Sequence, residues 1–384
     1  MLATVLAWVG LGWWAFTMMI QWLSAALARR RRAAAPPQHA AADFSIVAPL
    51  AGRSDASHDY ICALEQLSRR GAEVLICVAA EGDEAIGQVR ASWPAAPILI
   101  GSDDTFNPKM NNVRKGLEAA SRPVVVLCDA GVAVTLDDLR RAATELSGKV
   151  GLVLGLKAGW LPANFAAELE CAYINGHQAR FLLAADRLGM PVASGGMTVF
   201  ARDVLAEIGG HQAFLNYIAD DYSIVRTMRD RGGRTTWLGN TMPHMPVGHR
   251  KWSDVWRRQV RWASTRLNLT REIRMLALLD PAIGWLVSGA AGAAGLASLG
   301  WGPESIALAV LAHSAAWFAA EAWFLVAYGL PFGPRAWAAS VVRETLVPVL
   351  LVQAWRGRRR IDWRGTDLVA GWRPAGDGAS GRYV

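Results

Sequence analysis

Residues 1–28 carry no charged side chain, and the four residues that follow are Arg29, Arg30, Arg31 and Arg32. An uncharged run of this length constrains everything after it, because about 20 apolar residues suffice to cross a bilayer. A secretory signal would place its basic residues before the apolar core and a small-residue cleavage site after it. The order here is reversed. Residues 1–28 are therefore expected to form a transmembrane anchor whose C-terminal end faces the cytoplasm. Residues 29–43 then read as a basic linker containing AAAPPQHAAA at 33–42.

A second apolar zone begins near Leu276. Residues 281–303 carry no charge and include GAAGAAG, a run of small residues suited to close helix packing in a membrane. Residues 305–330 are apolar apart from His313 and Glu321, and 276–330 is read as two transmembrane helices. Residues 336–355 are apolar but hold Arg343 and Glu344 near the middle, then run into Arg356, Arg358, Arg359 and Arg360. An Arg–Glu pair at a bilayer centre is costly. A third full span would also place the basic cluster outside, against the charge rule. Residues 331–355 are therefore expected to be re-entrant or interfacial, with 356–384 as a cytoplasmic tail. Glu321 is read as a polar contact between helices in preference to part of a lipid entry path. Fifteen of the 18 Trp fall in these outer segments or in 252–262, where interface anchors are expected.

Composition agrees with that layout. Charged residues are 19% and hydrophobic residues 53%, which excludes a disordered chain and argues against an ordinary soluble enzyme. Cys62, Cys77, Cys128 and Cys171 form no CxxC pair and no zinc-spaced cluster, so they read as buried reduced thiols. The net charge is +8, but the basic clusters flank membrane segments, which disfavours nucleic-acid binding.

Residues 44–250 have a different texture, and are read as one cytoplasmic catalytic domain. Short β-rich runs at 44–49, 73–79, 97–101, 123–129 and 150–157 alternate with helical patterns at 60–70, 84–92, 110–120 and 136–146. Such alternation predicts a mostly parallel α/β sheet with helices on both faces. Ligands then bind beyond the carboxyl ends of the strands, where Pro49-Leu50, Glu81-Gly82-Asp83, Ser102-Asp103-Asp104 and Asp129-Ala130-Gly131 stand. No GxGxxG, GxxxxGK[ST], GxSxG or HExxH occurs. Residues 251–275, with Arg257, Arg258, Arg261 and Arg266 among Trp252, Trp256 and Trp262, are expected to be an amphipathic interfacial helix.

Four features could carry chemistry: Asp83 after the second strand, Asp129 ending the fourth, Asp220-Asp221 opening a helix, and RQVRW at 258–262. Each has a bland alternative. A strand-end Asp is often a helix N-cap, Asp220-Asp221 suits a helix N-terminus, and an Arg/Trp helix suits a membrane surface. Their combination and order carry more weight than any one of them.

The segments APLAG (48–52), LICVAAEGDEAI (75–86), NPKMNN (107–112), CDAGV (128–132), KVGLVLGL (149–156), YIADDY (217–222), RQVRW (258–262) and VRET (342–345) together resemble the ceramide glucosyltransferase family, lipid-directed inverting glycosyltransferases with a GT-A fold. Bacterial transferases that put an aminosugar on hopanoids fit more loosely. The resemblance implies a GT-A (nucleotide-diphospho-sugar transferase) catalytic domain, Rossmann-like and mostly parallel, flanked by N-terminal and C-terminal transmembrane helices. It implies a UDP-sugar donor, a ceramide-like lipid acceptor, membrane lipids as partners and a Mn2+ or Mg2+ cofactor. It places the enzyme in the inner (plasma) membrane, if bacterial, with the catalytic domain in the cytoplasm. By the same resemblance Asp221 is the general base and Asp83 contacts the uridine. Pro49, Lys109 and Asn111 lie near the donor. Asp129 sits by the diphosphate and holds the cation. Arg258, Arg261, Trp262 and His177 serve the diphosphate and the acceptor. The third position after Asp129 is Gly131, the Asp-x-Gly form that this family shares, which leaves the second metal ligand unassigned; Asp103 and Asp104 are candidates. Ser194-Gly195-Gly196-Met197 reads equally as an acceptor-side loop or a plain turn. Transfer to a hopanoid or diacylglycerol, and a non-catalytic scaffold binding anionic lipid, are the alternatives.

Overall fold

The computed structural model describes residues 2–28, 39–53, 57–101, 108–213, 219–232, 235–357, 360–363 and 366–369. In chain order the elements are α1 (Leu2–Leu27), β1 (Phe44–Pro49), α2 (His58–Arg69), β2 (Glu73–Val78), α3 (Glu84–Ser92), β3 (Ile98–Ile100), α4 (Pro108–Ala119), β4 (Val124–Cys128), α5 (Leu136–Thr144), β5 (Val150–Leu156) and β6 (Ala158–Pro162). There follow α6 (Phe165–Cys171), a π-helical stretch (Ala172–Ala179), α7 (Arg180–Arg187), β7 (Gly196–Ala201), α8 (Arg202–Glu207), α9 (Asp220–Asp230), β8 (Thr235–Leu238) and β9 (His244–Gly248). The last are α10 (Trp252–Asn268), α11 (Arg271–Leu279), α12 (Trp285–Ser298), α13 (Pro303–Ala327), α14 (Pro334–Gly357), β10 (Arg360–Trp363) and β11 (Thr366–Val369). They group into a sheet unit, drawn from residues 30–159 and 188–246, and a helical unit, drawn from 1–29, 160–187 and 247–372. Residues 160–187 thus pack with the apolar helices, although the sequence reads them with the catalytic domain.

The sheet unit is a seven-stranded sheet in the order β3-β2-β1-β4-β7-β5-β8. β1 pairs in parallel with β2 and β4, β2 with β3, and β5 with β8. β7 alone runs antiparallel, between β4 and β5. β1 and β4 are buried at every position, which suits a strand covered by helices on both faces. β7 sets the site. Because it runs backwards, its first residues lie at the carboxyl edge of β4: Met197 is opposite Cys128, and Asp129 N–H donates to Gly196 O at 2.9 Å.

In the helical unit α1 and α12 pack through small residues. A Cβ on Gly10 would stand 2.6 Å from Ala291 O, and one on Gly292 2.8 Å from the Trp14 ring, so neither position tolerates a side chain. Thr17 Oγ1 and Ser288 Oγ lie 2.6 Å apart across this seam, and Trp14 Nε1 of α1 donates to His313 Nδ1 of α13 at 2.8 Å. Glu321 is an inter-helix contact: Arg343 donates to both of its oxygens at 2.7 and 2.8 Å, and Ser340 Oγ to Oε1. Apolar side chains on the outer faces of α1 and α13 stay exposed, among them Trp8, Val9, Leu308 and Leu311. Faces of that kind belong in lipid.

Three helices, α1, α13 and α14, are long and apolar enough to cross a membrane. α12, with 14 residues, rises only about 21 Å, short of a roughly 30 Å hydrocarbon core. The 276–330 region therefore holds one helix of spanning length and one short one. α14 is a continuous helix despite Pro348, and its buried side chains Val347, Leu350 and Ala354 pack against Leu169 of α6 and Val255, Ala263 and Leu267 of α10. The amphipathic segment is two helices, since Leu269 adopts extended backbone between α10 and α11. On α10 the buried positions Val255, Gln259, Ala263 and Leu267 recur every four residues, which forms one inward face.

Candidate active site

Within the sheet unit, four side chains predicted from the sequence converge at the carboxyl edge. Asp129 follows β4. Lys109 stands in the first turn of α4, and Asp220 and Asp221 in the first turn of α9. Lys109 Nζ lies 2.6 Å from Asp129 Oδ1 and 2.6 Å from Asp220 Oδ2, a cation held between two acids. Asp220 is therefore an ion-pair partner, not a helix cap; the cap position of α9 is Ala219, which makes no side-chain cap bond. Asp221 makes no ion pair among the described residues, and its Oδ1 accepts the N–H of Tyr222 at 2.9 Å.

These surroundings push the two key acids apart. Burial raises the Asp129 carboxyl, but Lys109 and then Lys157 outweigh it and hold the group below its ordinary range. Burial raises Asp221, and Asp220 raises it further; Lys109 opposes them, and the group settles at about 6. Burial likewise lowers Lys109, and Asp129 and Asp220 more than reverse this, so the ammonium stays charged. An acid held toward its ionised form beside one poised to exchange a proton near neutral pH is the pattern that separates an anchoring carboxylate from a base.

Gly195 leaves the space between them. A Cβ there would meet Asp129 Oδ2 at 2.4 Å and the Asp221 Oδ2 at 3.8 Å. The 194–197 segment is thus more than a plain turn: it lets two carboxylate oxygens face one small space. Those hard oxygens suit Mg2+ or Mn2+. Among the described residues no group of three His, Cys, Asp or Glu forms a closed cage. The residues fit a cation held at Asp129 Oδ2 and completed by substrate oxygens, as is usual where phosphates are bound. Asp103 and Asp104, and Tyr217 and Ile218 of YIADDY, lie outside the described residues.

Asp83 follows its bland reading and adds to it. It caps α3 through the Ala85 N–H and also accepts the Gly52 N–H, each at 2.8 Å, which ties the loop after β1 to the loop after β2. Pro49 ends β1 and is buried, as is Asn111. Asn112 Nδ2 donates to Leu50 O at 3.1 Å, so the start of α4 is fastened to the same edge.

The remaining predicted residues lie in the helical unit. Arg258 Nη1 donates to Glu170 Oε1, and Arg250 Nε lies 3.3 Å from Glu170 Oε2. Glu170 is wholly buried, and no motif in the sequence singles it out. The available signal is a pair of carboxylates, Glu168 and Glu170, in the otherwise apolar stretch FAAELECAY. Lys157, the residue directly after the KVGLVLGL segment, is likewise not singled out by that segment. Arg261 and Trp262 are partly buried on α10. His177 sits in the π-helical stretch, and its Nε2 lies 3.1 Å from Asp280 Oδ2. Local π turns often mark functional positions. A cleft beside it is lined by charged and apolar side chains together, among them His177, Arg180, Asp280, Ile283, Leu286 and Trp317. Cys77, Cys128 and Cys171 are buried and their thiols pushed up to about 12, as expected of inert structural cysteines.

The sequence matches glycosyl transferase family 21 over residues 3–375. The chain belongs to that family. Ceramide glucosyltransferase 1 of Caenorhabditis elegans is 26% identical over 196 residues, covering 49% of this chain and 42% of that protein. Ceramide glucosyltransferase 3 of the same organism is 24% identical over 196 residues, covering 49% of this chain and 43% of that protein. The matches thus span less than half the length of these relatives. Among solved structures, a mannosyltransferase from Pyrobaculum calidifontis in complex with GDP-Man and Mn2+ superposes with a TM-score of 0.51 at 16% identity, covering 93% of this chain and 97% of that one. The family 21 chain has the expected GT-A fold, with helices of membrane-spanning length at both ends.

Proposed function

We propose that this chain moves a hexose, glucose before others, from a UDP-sugar to the hydroxyl of a membrane lipid, ceramide before others, with inversion at the anomeric carbon. The observation that carries the proposal is the division of labour at the sheet edge. Asp129 and Asp220 share the Lys109 ammonium, while Asp221 stands outside these ion pairs with its proton affinity raised to about 6. The family match and the relatives' names support the choice of lipid and sugar.

In this reading Asp221 takes the proton of the lipid hydroxyl as its oxygen attacks the anomeric carbon. The bond from that carbon to the diphosphate breaks, and UDP leaves with the bonding pair. A single base and in-line attack turn an α-linked donor into a β-linked product. Asp129 would hold a Mg2+ or Mn2+, whose charge would offset the negative charge growing on the diphosphate. The Lys109 ammonium supplies a second positive charge at the same edge. Asp83, Pro49 and Asn111 take the nucleoside side of the donor. Arg258, Arg261, Trp262 and His177 take the diphosphate and acceptor roles that their motifs imply. The apolar helices hold the enzyme where its acceptor is dissolved, the catalytic domain facing the cytoplasm and α14 lying at the interface.

The test is a matrix of UDP-glucose, UDP-galactose and UDP-N-acetylglucosamine against ceramide, diacylglycerol and a hopanoid polyol. The detergent-purified full chain is assayed with and without Mn2+, lipid products are read by mass spectrometry, and Asp221→Asn is the control. Hexosyl-ceramide that disappears in the variant is expected. Product on another lipid would keep the mechanism and replace the acceptor. No product and no UDP release with any pair would favour a lipid-binding scaffold.

A further inference from the structure

Lys109 is in an unusual place for a lysine. It stands in the first turn of α4, where the helix dipole opposes a positive charge, yet its ammonium bridges two acids from separate segments at 2.6 Å each. One of them, Asp129, is the residue that would hold the cation. Lys109 thus engages Asp129 Oδ1, and the oxygen that faces Gly195 and would meet a cation is Oδ2.

We propose that Lys109 is a built-in counter-ion that keeps free divalent cations off Asp129 until a nucleoside diphosphate arrives with one. A bare dication approaching Asp129 meets the Lys109 charge on the same carboxylate, with no new anion to offset it. A cation carried by a diphosphate brings its own negative charge. Lys109 can then exchange Asp129 for a phosphate oxygen while remaining on Asp220, since an ammonium is a compact, rotatable donor. The site therefore loads donor and cation together. The proposal rests on the reading of this edge as a nucleoside-diphosphate site, and it makes Lys109 the residue that sets the order of loading.

The experiment measures Mn2+ binding to the full chain in detergent, by the loss of the free-ion electron paramagnetic resonance signal, with and without UDP. Wild type is expected to bind Mn2+ weakly alone and at least about tenfold more tightly with UDP. Lys109→Met should bind Mn2+ alone at least about tenfold more tightly than wild type, with a smaller gain on adding UDP. The double variant Lys109→Met/Asp220→Asn removes one charge of each sign, so the net charge of the edge is preserved if the single variant does not fold. It should show the same tighter binding of Mn2+ alone. Asp220→Asn by itself should leave Mn2+-alone binding as weak as in wild type. Equal Mn2+-alone affinity, within about twofold, in wild type and the double variant would overturn the proposal. Wild-type protein that binds neither UDP nor Mn2+ with UDP would instead overturn the donor-site reading beneath it.

Discussion

Both units bury acids against one basic side chain, and they close the charge in different ways. In the helical unit, Arg343 grips Glu321 through two parallel bonds and adds Glu344 Oε1 and Ala172 O at 2.7 and 2.9 Å. Ser340 completes Glu321. Every acid in that cluster has a cation. At the sheet edge, three acids meet one bridging lysine, and Asp221 is left over. The first arrangement holds helices together and has no group free to react. The second is electrostatically incomplete, and the incomplete member is the one able to exchange a proton. Buried charge is therefore poor evidence of function on its own. The informative sign is an acid that makes no ion pair among the described residues.

The largest effect expected from breaking this contrast is at Asp221. Asp221→Asn should lower sugar transfer by roughly 10²–10⁴-fold, the range of a positioned general base, while UDP binding changes little. Its melting temperature should hold or rise, because an acid that resists ionisation is replaced by a neutral amide. Transfer within tenfold of wild type would move the base elsewhere. Arg343→Met is the opposite case. It strands two buried acids and should cost about 3–5 kcal/mol of stability, read as a large fall in melting temperature, with activity lost only as the fold is lost. A variant that melts normally yet transfers no sugar would place the helical cluster in the chemistry and erase the contrast.

A smaller change sharpens the sheet edge without removing any charge. Gly195→Ala puts a methyl carbon only 2.4 Å from Asp129 Oδ2. The carboxylate must turn away. Affinity for UDP with Mn2+ should fall about 10–100-fold, as when a ligand-orienting contact is lost, with little change in melting temperature. Unchanged affinity would mean that this oxygen does not face the donor.

Much of the sheet unit was legible in the sequence. The runs at 44–49 and 84–92 match β1 and α3 residue for residue, because short apolar strands and capped amphipathic helices announce themselves locally. β7 was not, since its place between β4 and β5 depends on partners that local pattern does not name. The same limit hid the partition of 160–187. Lys109, Asp129 and Asp221 were reached by motif, but their bridging geometry was not, because 111 residues separate Lys109 from Asp220. Lys109 does leave a trace: a cation at a helix start contradicts the local rule, and such contradictions concentrate at functional sites. Helix lengths in the apolar zone were the weakest reading, because hydropathy marks where a chain is apolar and says little about where a helix such as α12 begins.

The mildest test leaves the sequence untouched and varies pH. Asp221 can accept a proton only when ionised, and its burial beside Asp220 sets that transition at about 6. Transfer should therefore fall roughly tenfold per unit as pH drops below about 6, and should level off above it. Stability should move the other way. A carboxyl whose affinity for the proton is higher in the folded chain than in the unfolded one favours folding when protonated. This contribution is present below the ordinary carboxylate range and is lost as pH rises through about 6. Between pH 5 and 7 activity should rise while this part of the stability declines, and Asp221→Asn should flatten both trends at once. If wild type shows no limb near 6, or the variant's residual activity keeps the same limb, the titrating group is another residue. Asp221 would then join the helical acids as a structural charge.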